Sequence, residues 1–484
     1  MSDRANKRER KTAPLTLYAR LAPQIGLEAQ ADQIVVTGFG GTLARLGALS
    51  IGVASQLAEL RTGLPLIATD RPDKELGIIV RRLARHGLLE YGLRASATGA
   101  DLVVIEPQLA DFWPEWRPLD ERDVLALSRF AYMRRRGTEM VLESPLAGAL
   151  FRICDPQTAA TLAMLAAPQK IDALHREAAF PGTELLALLV DCRILFKVEA
   201  AGSLGIRAEE GDGNLVLWDF HDLVFHTRST EGRHANPLGG VYAHADAMPA
   251  LPAVRPRWPG RKIDLVKHST QARKSTPAAR VLRKRHSTRN FDDRRPITLA
   301  ELARFLDAAA RVSSRWQSQG DFGPAVTYAA RPYPSAGASY ELELYLAVAA
   351  CKGLARGFYH YDAGRHALVP IRARPQDVET LLNSAAAAMD APGVPQIVIT
   401  IAARFGRVSW KYSSLAYALI LKDAGVLTQT LYLIATDMGH GGCAIGTVNV
   451  DLFARMTGIE FHVEGPVGQF ALGRPAPGQR RAGR

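Results

Sequence analysis

The sequence predicts an α+β chain in two parts. Two similar helix-and-hairpin modules form the front, and an antiparallel-rich sheet flanked by helices forms the rear. Three observations carry this. First, an amphipathic pattern from Glu75 to Tyr91 runs through a glycine into a short strand, and it returns at Glu184–Phe196. Second, a stretch dense in proline and arginine divides the chain. Third, strand and helix patterns alternate behind that stretch.

In the front part each amphipathic helix follows another helical stretch, Gly47–Leu60 in one case and Gly148–Ala166 in the other. Helix, turn, helix and hairpin is the winged-helix arrangement, so tandem winged-helix-like modules are expected at residues 15–110 and 120–205. Such modules commonly read DNA, and the first carries Arg81, Arg82 and Arg85 on its second helix. The second is apolar from Leu185 to Val190 and must be buried, which suits a scaffold or a peptide-binding module better.

Net charge does not argue for nucleic acid. The formal value is +12, and half of it lies in the tails at Arg4–Lys11 and Arg480–Arg484. An ordered basic face with interleaved aromatics is missing, so no nucleic-acid partner is expected. Residues 206–275 read as a connector, clearest from Met248 to Ser275, where Pro249, Pro252, Pro256 and Pro259 alternate with Arg255, Arg257, Arg261 and Lys262.

The rear domain is expected over residues 276–476. Thr298-Leu-Ala-Glu301 is a capping box that opens a helix through Arg311, with Leu299, Leu302, Phe305 and Leu306 on one stripe. Tyr340–Ala350 and Pro395–Ala403 read as strands, and Phe358–Ile371 as a hairpin turning at Asp362–Gly364. Leu415–Met438 is a long helix, apolar nearly all round apart from Lys422, Asp423 and a few hydroxyls; burial across a subunit boundary is expected.

Composition bounds the function. A chain with 47% hydrophobic and 22% charged residues is globular. The sequence shows no uninterrupted apolar span of membrane length, and Met1–Lys11 lacks a secretory core, so a cytosolic location without a membrane partner is expected. Cys154, Cys192, Cys351 and Cys443 form no CxxC pair, which speaks against a disulfide scaffold or a thiolate zinc site, and no metal is expected.

Four segments carry the chemistry. Arg285-His286-Ser287-Thr288-Arg289 gathers guanidinium forks, a ring N–H and hydroxyls, an inventory suited to a terminal phosphate. Pro334-Ser335-Ala336-Gly337 is a turn directly before a strand, where a hydroxyl and backbone N–H groups meet a polar ring edge. Gly439–Gly446 reads as a loop whose Gly441 and Gly442 let backbone approach a ligand. Gly473-Arg474 closes the last strand and offers a second guanidinium to the phosphate.

In this order the segments resemble the nitroreductase-type FMN fold. More narrowly they resemble the SagB/McbC-type dehydrogenases, which oxidise thiazolines and oxazolines in ribosomal peptides. The resemblance implies that the 285–289 cluster binds the FMN phosphate, that Pro-Ser-Ala-Gly and the strand after it contact the flavin, and that Lys422-Asp-Ala-Gly425 belongs to a homodimer-interface helix. Phe220–Ser229, Gly232-Arg-His234 and Gly239-Gly240 resemble the segment before the flavin domain in longer SagB-type chains. Those chains carry winged-helix modules similar to peptide-recognition elements. The resemblance also makes Lys411 and Tyr412 the catalytic pair. Turning an azoline into an azole removes a proton from carbon and a hydride to the flavin; a desolvated lysine amine serves as the base, with the tyrosine orienting it. The chain departs from the pattern at Ala336 and Ala338, where glycines are frequent, and at His440, where an apolar residue is common.

The leading expectation is an FMN-dependent azoline dehydrogenase acting on a precursor peptide as a homodimer. Its front half would hold the leader or dock a cyclodehydratase. An NAD(P)H-dependent nitroreductase-like enzyme and a non-catalytic peptide- or DNA-binding protein are the alternatives.

Overall fold

The computed structural model describes residues 14–30, 33–38, 41–46, 51–66, 74–96, 98–109, 111–177, 180–198, 212–232, 245–257, 259, 261–265, 276–318 and 324–477. The basic tails and the glycines at 239 and 240 lie outside these. The chain divides into two compact units, one running to Arg228 with Gly232–Ala235, the other formed by Ser229–Glu231 and Asn236–Arg484.

The first unit runs β1 (Thr16–Leu21), β2 (Ile25–Gln30), β3 (Gln33–Gly38), β4 (Gly41–Leu46), α1 (Ile51–Ala58), β5 (Leu64–Pro65), α2 (Glu75–Arg85), β6 (Leu89–Arg94) and β7 (Val103–Pro107). It continues with β8 (Val124–Leu127), β9 (Tyr132–Arg136), β10 (Glu139–Glu143), β11 (Ala149–Ile153), α3 (Pro156–Met164), β12 (Gln169–Lys170), α4 (Ile171–Leu174), α5 (Thr183–Asp191), β13 (Leu195–Lys197) and α6 (Phe220–Arg228).

Helices stand near the expected places, but the stretch Gly148–Ala166 is helical only from Pro156, its front part Ala149–Ile153 being strand β11, and the strands do not form two separate hairpins. Strand β7 pairs with β11, so a seven-stranded sheet of order β5-β1-β6-β7-β11-β10-β9 joins the two stretches, and β13 pairs with β8. Pairing with β11 satisfies the backbone groups that the outer side of β7 would otherwise expose. One apolar cluster accordingly runs from Leu17 through Tyr91 and Phe151 to Leu195, and takes in the buried α5 leucines. Ion pairs cross the sheet, with Arg20 holding Glu90 and Asp101 at 2.5 Å each and Arg152 holding Glu139 at 2.6 Å.

Two details bear on the front-half reading. The Arg81 guanidinium lies over the Trp113 ring at 4.4 Å, so this arginine is engaged with its own fold. Within the stretch read as a connector, α6 is a packed helix of the first unit: Trp218, Leu223 and His226 are buried, and Arg129 donates to the Trp218 carbonyl at 2.9 Å. The proline-bearing residues 245–257 are exposed and hold no helix or strand.

The second unit runs α7 (Pro277–Lys284), α8 (Leu299–Ala310), β14 (Ser314–Gln317), β15 (Thr327–Ala330), β16 (Leu342–Val348), β17 (Gly357–Asp362), β18 (Ala367–Ile371), α9 (Pro375–Ala388) and β19 (Ile397–Arg404). It ends with α10 (Gly406–Ser409), α11 (Ala416–Asp437), β20 (Gly441–Ile445), α12 (Val450–Thr457) and β21 (Glu464–Gly473). Every pairing in its six-stranded sheet, β18-β17-β16-β19-β21-β20, is antiparallel. Tyr345, Ala347 and Val398 pack with Leu381 of α9 and Phe453 of α12, and the alternate residues Leu344 and Leu346 face the other side. Helix α11 packs on β20, β21 and α8.

The capping box forms as the sequence spells it: Thr298 Oγ1 accepts from the Glu301 amide at 3.2 Å, and Glu301 Oε2 accepts from the Thr298 amide at 2.8 Å. Helix α11 is the long helix the sequence predicts, and within one chain it is only partly covered. It is buried along one stripe only, through Tyr417, Ile420, Ala424, Leu427, Leu431 and Ala435, while Leu415 and Val426 are 46% and 37% exposed. By length and composition alone α11 would also suffice to cross a membrane; its buried Asp423 and its packing on the sheet are those of a core helix. Replacing Thr298 with Ala should lower the stability of the full chain by about 1 kcal/mol in urea unfolding, because the amides of the first turn of α8 lose an acceptor.

Candidate active site

The segment after α7 crosses to the last strand of the sheet. The Thr288 amide donates to the Gly442 carbonyl at 2.8 Å, and Ser287 forms a parallel bridge with Gly442. The Ser287 hydroxyl lies 2.8 Å from the Tyr432 hydroxyl, which also accepts from the Ala444 amide at 2.8 Å. Arg285 sits over the ring of Tyr432 at 5.0 Å. His286 is exposed, with Nδ1 3.0 Å from the Lys284 carbonyl. Neither Arg285 nor Arg289 has a carboxylate partner among the described residues. Two uncompensated guanidiniums beside exposed His286 and the Ser287 hydroxyl fit a phosphate.

The turn at Pro334–Gly337 is backbone-strained. Gly337 has φ 55°, as does its neighbourhood in kind, Ala338 at φ 53° and Tyr340 at φ 46°. Alanine and tyrosine adopt this left-handed region at a cost, and such strain often marks a functional turn. Against it stand Lys411 and Tyr412, which follow α10. Lys411 Nζ donates to the Gly337 carbonyl at 3.4 Å and lies 5.2 Å from the Tyr412 ring and 5.5 Å from that of Tyr328. Arg407 ties α10 to this region by donating to the Ser339 carbonyl at 3.0 Å and the Thr327 carbonyl at 2.6 Å. A cleft of about 580 Å³ opens alongside, lined among others by Tyr328, Arg331, Ser339, Tyr340, His360 and Arg407. On its wall Glu343 faces Arg331 at 3.6 Å, Arg404 at 3.7 Å and His360 at 3.3 Å.

Beneath the turn lie two carboxyls that the sequence reading did not single out as site residues. Ser335 Oγ is 2.9 Å from Asp423 Oδ2 and 3.2 Å from Glu341 Oε2; Asp423 Oδ2 also accepts from the Ala336 amide at 2.8 Å. Glu341 is 0% exposed, and burial pushes its pKa up to about 7, with the Asp423 charge adding to the rise. The available signal was a lone acid in an otherwise apolar helix.

The structure therefore brings Arg285–Arg289 together with Gly441–Gly442, and Pro334–Gly337 together with Lys411–Tyr412. Helix α11 reaches both groups through Asp423 and Tyr432. Three readings change. Gly441 and Gly442 lie in strand β20, not in a loop. A Cβ on Gly441 would come within 2.5 Å of Thr288, and one on Gly442 would strike the Phe470 ring, so protein packing demands both glycines. Arg474 Nη2 donates to both oxygens of Glu301 at 2.8 and 2.9 Å, because the capping-box carboxylate stands at the strand end. The Ser335 hydroxyl is engaged with carboxyls of its own chain.

His440 is 7% exposed, and neither of its ring nitrogens has a hydrogen-bond partner. Burial holds its pKa below the usual 6.5. Elsewhere Asp219, His221 and Asp222 place one ligand-type atom each within 4.8 Å of one another at the start of α6.

The antiparallel sheet, its flanking helices and the cation cluster make up the α+β domain of the second unit. The chain belongs to the nitroreductase family, which it matches over residues 282–474, and residues 125–235 match the cyanobactin oxidase ThcOx. The two matches together are those of a SagB/McbC-type nitroreductase-like protein. Nitroreductases are oxidoreductases that typically bind a flavin. A protein of Methanocaldococcus jannaschii provisionally named a nitroreductase is 32% identical over 166 residues, covering 34% of this chain and 76% of the relative. Among solved structures, a nitroreductase-type protein of Ralstonia eutropha is 25% identical, covers 43% of this chain and 87% of its own, and has a TM-score of 0.33. The Escherichia coli microcin synthetase McbBCD complex with truncated pro-MccB17 is 19% identical over 54% of this chain and 96% of that chain, with a TM-score of 0.40.

Two expectations follow. Gly337→Ala adds a Cβ within 2.6 Å of Lys411 Nζ and against the Tyr412 hydroxyl at a left-handed position. It should lower stability by roughly 1–2 kcal/mol in urea unfolding and displace the lysine. His440→Leu should flatten the acid side of the stability curve. The wild-type imidazole resists protonation when folded, so stability falls as pH drops below 6.5; thermal melts of the variant should lack that component.

Proposed function

We propose that the chain is an FMN-dependent dehydrogenase that converts thiazoline or oxazoline rings of a ribosomally made peptide into thiazoles or oxazoles. The carrying observation is the seat of Lys411 and Tyr412 on Gly337, in the turn that the resemblance assigns to the flavin. Arg285 and Arg289 would hold the phosphate, with Ser287 beside them. When bound, the flavin supplies the hydride acceptor. The chain's own task is the proton: Lys411 Nζ, steadied by the Gly337 carbonyl, takes it from ring carbon, and Tyr412 orients the amine. Lys411 is exposed in the single chain, and substrate, flavin and a second copy closing over it would exclude the water.

The exposed Val426 of α11 and Leu415 just before it support a homodimer through the flavin domain. The cleft beside Tyr328 would take the peptide flanking the ring. The match of residues 125–235 to a cyanobactin oxidase supports a front half that holds the leader or docks a cyclodehydratase, in the cytosol. A second reading, an NAD(P)H-dependent reductase of small electrophiles, is favoured by the 32% identity to the Methanocaldococcus protein.

One experiment separates them. A cyclised azoline peptide incubated with the purified protein should lose two hydrogens per ring by mass spectrometry. Lys411→Ala should abolish that loss while the protein stays yellow, at a cost of at least about 100-fold in rate. Nicotinamide-driven nitro reduction undiminished in Lys411→Ala, with no azole from the wild type, would establish the second reading. Replacing Arg285 and Arg289 together with Ala should strip the flavin, read as lost absorbance after gel filtration.

A further inference from the structure

The contacts of the Ser335 hydroxyl allow a count of hydrogens. Its oxygen accepts from the Tyr340 amide at 2.9 Å and stands 2.9 Å from Asp423 Oδ2 and 3.2 Å from Glu341 Oε2. A serine hydroxyl has one hydrogen to give and two lone pairs. With both carboxyls ionised, one of the two contacts would set bare oxygens against each other inside the fold. The pair therefore carries a proton of its own. Asp423 Oδ2 already accepts from the Ala336 amide at 2.8 Å, so that oxygen is committed as an acceptor. Glu341 is fully buried, and its Oε1 has no hydrogen-bond partner, an arrangement far costlier for a carboxylate than for a carboxylic acid. The proton belongs on Glu341.

We propose that Glu341, Ser335 and Asp423 form a proton-bearing relay in which Glu341 O–H donates to Ser335 Oγ and Ser335 O–H donates to Asp423, locking the turn that carries Lys411 only while Glu341 is protonated. The lock is a positioning device. Its members touch the turn from below, and the Gly337 carbonyl on that turn is the acceptor for Lys411 Nζ. The groups facing it are few. Asp423 comes from α11, and the buried phenol of Tyr333 comes from the segment before the turn, within reach of the charges of Arg331 and Glu343. Of these only Asp423 adds to the burial that raises Glu341.

The pH consequence has a definite sign. A carboxyl raised in the folded state adds stability that is fully present below its ordinary 4.5 and is lost as pH rises through about 7. Above that window the second negative charge opens the relay and frees the turn. Glu341→Gln keeps a donor to Ser335 at every pH and should stay locked.

The test uses the full-length protein and two readouts that need no substrate. Infrared spectra at about pH 5.5 should show a protonated-carboxyl band that Glu341→Gln lacks. Hydrogen-exchange mass spectrometry of the peptide spanning the turn, corrected for intrinsic rates, should show wild-type protection falling at least tenfold between about pH 5.5 and about pH 8.5, and flat protection in Glu341→Gln. An unchanged band in Glu341→Gln, or the same pH-dependent loss of protection in both proteins, overturns the relay. If Glu341→Gln does not fold, Asp423→Asn replaces it. Removing that negative charge should move the wild-type midpoint to lower pH, and an unmoved midpoint overturns the proposal.

Discussion

A carboxylate placed inside an apolar helix has to be matched by donors, or it destabilises everything packed around it. Asp423 is 7% exposed in the middle of α11, and what matches it is the strained turn: the Ser335 hydroxyl and the Ala336 amide. While the relay is closed, the turn cannot shift without orphaning a buried carboxyl. The seat of Lys411 thus inherits the rigidity of the longest helix in the second unit. Nine residues further along, Tyr432 does the same for the cation cluster, through Ser287 and the Ala444 amide. At the helical rise of 1.5 Å per residue the two anchor points lie ~14 Å apart along the axis, so one element sets the spacing between the two halves of the site.

A second fastening runs through Glu301. Burial works to raise its pKa, but the Thr298 amide and the Arg474 guanidinium outweigh burial and hold it at about 2. This carboxylate caps α8 and grips the residue after the last strand, joining helix start to sheet end. The arginine that sequence position offered to a phosphate is thereby engaged with the scaffold, whereas Arg285 and Arg289 have no carboxylate partner among the described residues.

What could be read from the chain alone follows from how local each cause is. The capping box, the 357–371 hairpin and the long helix are encoded within a few residues, and they stand where their spacing puts them. Lys411 and Tyr412 are adjacent in sequence, so their pairing was visible, although their seat on Gly337 was not. The misplaced features depend on distant partners. Glu301 precedes Arg474 by 173 positions, and the space denied to a Cβ at Gly442 is filled by Phe470. The pairing of β7 with β11, which joins the two front modules, depends on a strand-to-strand choice that no periodicity records. Burial of the Glu341–Asp423 pair likewise exists only once the turn and the helix have met.

The bridge from Ser287–Thr288 to Gly442 has one more effect. Strand β20 ends its sheet, and an uncovered terminal strand invites pairing with another molecule. The cation cluster lies along that border, with the Thr288 amide on the Gly442 carbonyl, and brings charged arginines to the place where an intruding strand would dock. These few residues therefore guard the sheet edge against intermolecular pairing. Their charges thus have a use at the sheet edge that depends on no ligand.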